Sequence, residues 1–107
     1  MKAMLLTLGV MLSLNVAQAA GDPAAGEKKA APCAACHGPD GNSPAPNFPK
    51  LAGQHEDYLL RALEDYKSGA RKNPVMAGMV APLSEQDMED LAAFYAQQKG
   101  LITPEVD

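Results

Sequence analysis

Two thiols and an imidazole stand within five residues, Cys33-Ala34-Ala35-Cys36-His37, and these are the chain's only cysteines and one of its two histidines. A Cys-x-x-Cys pair can be a thioredoxin-like dithiol, but that chemistry expects a βαβ context and no run here alternates like a strand. It can be half of a zinc site, yet zinc usually takes four Cys or His ligands and only His55 is left to contribute. A disulfide between Cys33 and Cys36 would close a loop too short to stabilise much. Covalent haem attachment is the chemistry for which Cys-x-x-Cys-His is the signature. Thiols three residues apart on one helical turn reach both vinyl groups of one porphyrin, while the adjacent imidazole reaches the iron. Cys33 and Cys36 are therefore read as the attachment points and His37 as an iron ligand.

A second axial ligand must come from His55, Met76, Met79 or Met88. Met88 lies on the apolar stripe of a helix and reads as core, and His55 lies at a helix start, where a solvated imidazole is ordinary. Met76 and Met79 lie in Asn73-Pro74-Val75-Met76-Ala77-Gly78-Met79-Val80, whose small residues let the chain pass close to a flat macrocycle. Spacing does not choose between these two methionines.

Three helices position these groups. Asp22-Pro23 is a helix start, with Asp as the cap and Pro at the first helical position, and the helix runs to about Ala31, before Pro32. Residues 38–49 hold four prolines and read as an irregular loop. From His55 to Ser68, Leu59, Ala62, Leu63 and Tyr66 recur with helical period, and Gly69 follows as a C-cap. Residues 70–82 read as a second irregular stretch. Ser84, with Asp87 three residues on, caps a last helix with the single stripe Met88, Leu91, Ala92 and Tyr95, which ends at Lys99-Gly100.

Residues 1–19 read as an export signal: a positive start at Lys2, an apolar run from Ala3 to Val16, and Ala17-Gln18-Ala19 as the cleavage pattern. Cleavage after Ala19 leaves a domain of residues 20–107 and a periplasmic protein with no stable membrane insertion. It also cuts the 107 residues and the net charge of -4 to 88 residues and -5, Lys2 being the one charge lost. A chain of that size with three Tyr, two Phe and no Trp leans on something besides side chains to fill its interior. Thirteen acidic residues against nine basic ones, without a basic stripe or a phosphate-binding glycine loop, exclude nucleic acid as a partner.

The order Cys33 to His37, then Pro49-x-Leu51-x-Gly53, then a Met loop before a C-terminal helix resembles a class I c-type cytochrome. The run from Cys36 through Gln54, with Tyr58-Leu59-Leu60, Gly69-x-Arg71, Leu83-Ser84-x-x-Asp87 and Ala92-x-x-Tyr95, is similar to a single haem domain of cytochrome c4, here as a monohaem chain of the c553/c554 type. The resemblance implies an all-α fold of three to four helices wrapped around one covalently attached haem c. It implies Met76 as the second ligand, seven residues before the Leu of the Leu-Ser-x-x-Asp motif. It also implies that the Pro49 carbonyl accepts the Nδ1–H of His37. Where that family often has an aromatic on the first helix at the crossing of its terminal helices, this chain offers Ala30 or Ala31, so the crossing is expected to rest on Gly26 against Phe94 or Tyr95.

Two filled axial positions leave no open site on the iron, so the expected role is one-electron transfer rather than catalysis. The expected carrier runs between a quinol-oxidising complex and a terminal oxidase, a reductase or a reaction centre. Docking would be transient, at a haem edge ringed by Ala34, Ala35, Ala45, Pro46, Ala77 and Met79. A dedicated haem subunit of a redox enzyme, a haem-based sensor and a homodimer restoring a two-haem unit are the other readings. Arg61, Lys67, Arg71 and Lys72, and the acidic run Glu85 to Asp90, read as solvated helix faces, with Arg71 as a weaker propionate contact.

Overall fold

Asp22 opens the first helix: its side chain accepts from Ala24 N at 3.0 Å, and Pro23 takes the first helical position, where a missing N–H costs nothing. In the computed structural model, which describes residue 9 and residues 21–102, the elements are α1 (Pro23–Lys29), α2 (Ala31–His37), α3 (Glu56–Ser68), α4 (Pro74–Val80) and α5 (Glu85–Ala96). The described residues contain no strand, in keeping with the class I cytochrome c fold. No described helix is long and apolar enough to cross a membrane. The export signal and its cleavage point lie outside the described residues, Gly9 excepted.

Two of the five helices go beyond the three expected: α2 extends the single helical turn read at Cys33–Cys36, and α4 falls where a loop is expected. Pro32 does not end helical structure; it kinks it. Ala30 closes α1 and also opens α2, with Pro32 in the first turn of α2, where its ring does not disturb a hydrogen bond. The stretch 70–82 likewise contains a helix, because Asn73 caps α4 by accepting from Val75 N and Met76 N, and Pro74 follows at the first helical position. In both places a proline is a start signal rather than a stop.

The other capping expectations hold. Gly69 ends α3 in the left-handed region at φ 86°, a conformation that suits a residue without Cβ. Ser84 and Asp87 form a reciprocal capping box on α5, with Ser84 N donating to the Asp87 carboxylate at 2.9 Å and Asp87 N to the Ser84 hydroxyl at 3.1 Å. That helix closes at Ala96, before Lys99-Gly100. The chain then folds back, Leu101 N donating to Ala52 O at 2.8 Å.

α5 is the central element. It buries Met88, Asp90 and every residue from Leu91 to Tyr95, far more than one stripe, because α1 packs on one side of it and α3 on another. Leu91, 1% exposed, contributes about 1.5–3 kcal/mol by burial. At the α1–α5 crossing Gly26 faces Asp90 and Phe94: a Cβ there would lie 2.0 Å from the Asp90 carbonyl oxygen and 2.8 Å from Phe94 Cβ. Backbone meets backbone, which only glycine permits.

The acidic run of α5 is exposed at Glu85 but not at its end. Asp90, 2% exposed, accepts from Lys29 Nζ at 2.6 Å, Asp22 N at 2.8 Å and Gln86 Nε2 at 2.8 Å. Lys29 also pairs with Asp87 at 2.8 Å. α1 is thus held at both ends to the side of α5. The basic residues behave closer to expectation: Arg61 pairs with Asp65 across one exposed turn, Lys67 donates to Leu83 O, and Arg71 lies over the Tyr66 ring at 4.8 Å.

Two outcomes follow for stability. Gly26→Ala forces α1 off α5 and lowers the unfolding free energy by about 1–3 kcal/mol or more, measured by urea denaturation. Hydrogen bonds from Lys29 hold Asp87 down from 3.8 to about 2, and hold Asp90 below its ordinary value. Depressed carboxylates stabilise the fold above their unfolded values and lose that contribution as pH falls through the folded ones. The melting temperature should therefore drop as pH falls from about 4 to about 2, with a shallower slope in Asp90→Asn.

Candidate functional site

On α2, Cys33, Cys36 and His37 stand at i, i+3 and i+4 and so share one face of the helix. Both cysteines are half-buried, and His37 is buried at 7% exposure as the last residue of the helix. Gly38 then turns the chain at φ 83° into the proline-rich loop. That loop comes back under the histidine: His37 Nδ1 lies 2.8 Å from the Pro49 carbonyl oxygen. A carbonyl only accepts, so Nδ1 carries the proton and Nε2 keeps the lone pair, which is the tautomer a metal ligand needs.

Short-range bonds keep the loop in place. Gly41 O accepts from Leu51 N at 2.8 Å and Ala52 N at 3.1 Å, closing residues 41–52 into a ring that contains Pro49. Asn42 joins it to the end of the molecule by donating to Lys99 O at 2.8 Å. Gly41 has φ 84°, and a Cβ there would lie 2.7 Å from Tyr95 Cδ1. The loop backbone therefore rests directly on the α5 aromatic.

Met76 and Met79 separate once α4 is seen as a helix. Met76 is half-buried and shares a face with Val80, which is 1% exposed, whereas Met79 pairs with Val75 on the outer face at 36% and 64% exposure. α4 packs on α3, and α3 on α5. His55 is exposed at the start of α3, and Met88 is core at 3% exposure. Of the expected docking rim, Ala35, Pro46, Ala77 and Met79 are exposed, while Ala34 and Ala45 are half-buried.

Tyr95 has a part that the helical stripe does not reveal. Its hydroxyl is fully buried and has no hydrogen-bond partner, and Cys33 packs against the same cluster. Burial pushes the Tyr95 hydroxyl well above its ordinary value and, as the largest cause, also raises the Cys33 thiol. Nothing in the sequence distinguishes this tyrosine from a packing aromatic.

Two thiols on one helix face, an imidazole with its far nitrogen free, a half-buried thioether and an orphaned buried phenol make a donor set that fits a covalently bound haem. The comparisons with known proteins agree with that chemistry. The cytochrome c family model matches residues 23–99. Cytochrome c4 of Pseudomonas aeruginosa is 58% identical over 97 residues, which cover 91% of this chain and 47% of that protein. Cytochrome c-554(548) of Halomonas halodenitrificans is 45% identical over 83 residues, covering 75% of this chain and all of that one. The crystal structure of reduced recombinant cytochrome c4 from Pseudomonas stutzeri superposes with a TM-score of 0.73 at 56% identity, over 78% of this chain and 48% of that one. The chain thus spans about half the length of its cytochrome c4 relatives and the full length of the c-554(548) relative. It belongs to the cytochrome c family, as a class I c-type cytochrome close to cytochrome c4 that carries covalently bound haem c.

Proposed function

We propose that this chain is a monohaem one-electron carrier of the periplasm, with Cys33 and Cys36 as the thioether attachments and His37 and Met76 as the two axial ligands. The observation that carries the reading is the hydrogen bond between His37 Nδ1 and Pro49 O, which presents Nε2 as a fixed ligand before any metal is considered. Met76 is preferred over Met79 because it lies on the inward face of α4 with Val80 and receives its backbone restraint from the Asn73 cap.

When bound, the haem supplies a one-electron couple, which a methionine ligand places at higher potential than a second histidine would. The protein's part is to keep both ligands in place in either oxidation state and to exclude other ligands. His37 and Met76 together leave no coordination position for a substrate, which favours electron transfer over catalysis. The outer face of α4, with Val75 and Met79 exposed, is the apolar surface that supports brief docking by membrane redox complexes upstream and downstream. Residues 1–19 act as the export signal.

Three measurements test this. The ferric protein should show the weak red absorption band of a methionine–iron bond, abolished in Met76→Ala and retained in Met79→Ala. The ferrous wild type should resist carbon monoxide at neutral pH while Met76→Ala binds it; rapid, full binding by the wild type would sink the carrier reading in favour of a sensor. Mass spectrometry of the secreted protein should give a chain beginning at Ala20, carrying one haem.

A further inference from the structure

The carbonyl that orients His37 belongs to an exposed proline, so its position depends on the two roots of the 41–52 loop rather than on burial of Pro49 itself. Both roots lean on the segment that follows α5. At one root, Asn42 donates from Nδ2 to Lys99 O at 2.8 Å. At the other, Ala52 O accepts from Leu101 N at 2.8 Å, and Gly53 N donates to Tyr95 O at 3.0 Å. Gly100 lies between the two: a Cβ there would lie 2.6 Å from the Cβ of the fully buried Ala52 and 2.7 Å from Asn42 Oδ1. Asn42 also touches the residue next to the histidine, because its backbone carbonyl packs on Gly38, where a Cβ would lie 2.7 Å away. Its amide has one workable orientation. Nδ2 donates to Asp40 Oδ2 at 2.9 Å as well as to Lys99 O, so the reverse orientation sets an oxygen against two acceptors.

We propose that Asn42 is a positioning residue for the axial histidine: it clasps residues 99–101 to the 41–52 loop and so keeps the Pro49 carbonyl at hydrogen-bond distance from His37 Nδ1. This rests on His37 being the iron ligand, as argued above. A carbonyl that accepts from Nδ1–H makes the imidazole a stronger electron donor, and a stronger donor favours ferric over ferrous iron. Without the clasp the loop gains freedom at its Asn42 root. The bond to His37 is then made for less of the time, and the balance moves toward ferrous. The end of the chain thereby tunes a ligand from which it is separated by some 60 residues.

The test compares the exported holoprotein, reduced, with Asn42→Ala and Gly100→Ala, which open the clasp from opposite sides. Proton NMR first reads ligation through the His37 ring protons, which the porphyrin ring current should shift far upfield. Ordinary positions for them refute the ligand assignment and the proposal with it. With ligation intact, both variants should speed solvent exchange of the His37 Nδ1–H roughly tenfold relative to the Leu91 amide in α5. They should also shift the ferric-to-ferrous ratio at fixed applied potential roughly two- to fivefold toward ferrous, as for one weakened hydrogen bond. Exchange that speeds equally at both protons marks a merely structural asparagine and overturns the proposal. So does an unchanged Nδ1–H, or a ratio that stays still or moves toward ferric. If neither variant yields holoprotein, the wild type in urea below its unfolding transition decides. The His37 Nδ1–H and the Leu101 amide should exchange through one opening, with the same dependence on urea; separate openings overturn the proposal.

Discussion

The backbone contact between Gly26 and Asp90 governs where everything else in this small protein lies. Because α1 lies directly against α5, with no side chain between them at that point, its exit at Lys29 is fixed relative to the α5 surface. One residue, Ala30, then leads into α2, so the position of Cys33, Cys36 and His37 is inherited from the crossing. Lys29 strengthens that inheritance from the same turn that precedes the kink, by joining Asp87 and Asp90. A partly buried ion pair is weak evidence for stability by itself. Here it has a second task, which is to specify which turn of α1 faces which turn of α5.

The second constraint is what fills the middle. Among the described residues the largest fully buried side chains are Leu91 and Val80, and the remaining core is rich in alanine. Such a core buries too little apolar area to hold the domain together with a comfortable margin. Haem c, held through Cys33 and Cys36 as proposed, would therefore act as a structural body as well as a redox one. The same economy explains the proline-rich loop. Prolines limit the freedom of the unfolded chain, and the paired bonds to Gly41 O close the loop around the Pro49 carbonyl that orients His37.

Much of this was legible from residue types. Cys-x-x-Cys-His carries its chemistry in its spacing, and Asp22-Pro23, Ser84 with Asp87, and Gly69 mark helix ends by mechanisms that act within a few residues. α4 was not legible and α2 only as a single helical turn, because Pro32 and Pro74 are breakers within a helix and starters at its first turn, and only the cap before them distinguishes the cases. Asn73 offers that cap and could have been recognised; Ala30 offers no side-chain cap at all. Asp90 was illegible for another reason. Its partners, Lys29 and the Asp22 amide, are more than 60 residues away in the chain, and a local reading of an acidic helix sees only solvent. Tyr95 is similar, since burial of its oxygen depends on Gly41 and Cys33 from other segments.

The two sides of the proposed iron site are therefore built to different strengths. His37 hangs from a helix whose neighbour is fixed to α5 along its length, and its ring is tied to Pro49 within a closed loop. Met76 comes from seven residues whose restraints are one asparagine cap, the packing of Val80 and contact with α3, while Val75, Ala77 and Met79 face solvent. Local opening starts where few buried contacts oppose it. Under any mild stress the methionine side yields before the histidine side, and the covalent thioethers keep the group attached while it does. An electron carrier would be served by that asymmetry: the firm side preserves the identity of the site, and the softer side lies beside the exposed apolar face proposed for docking.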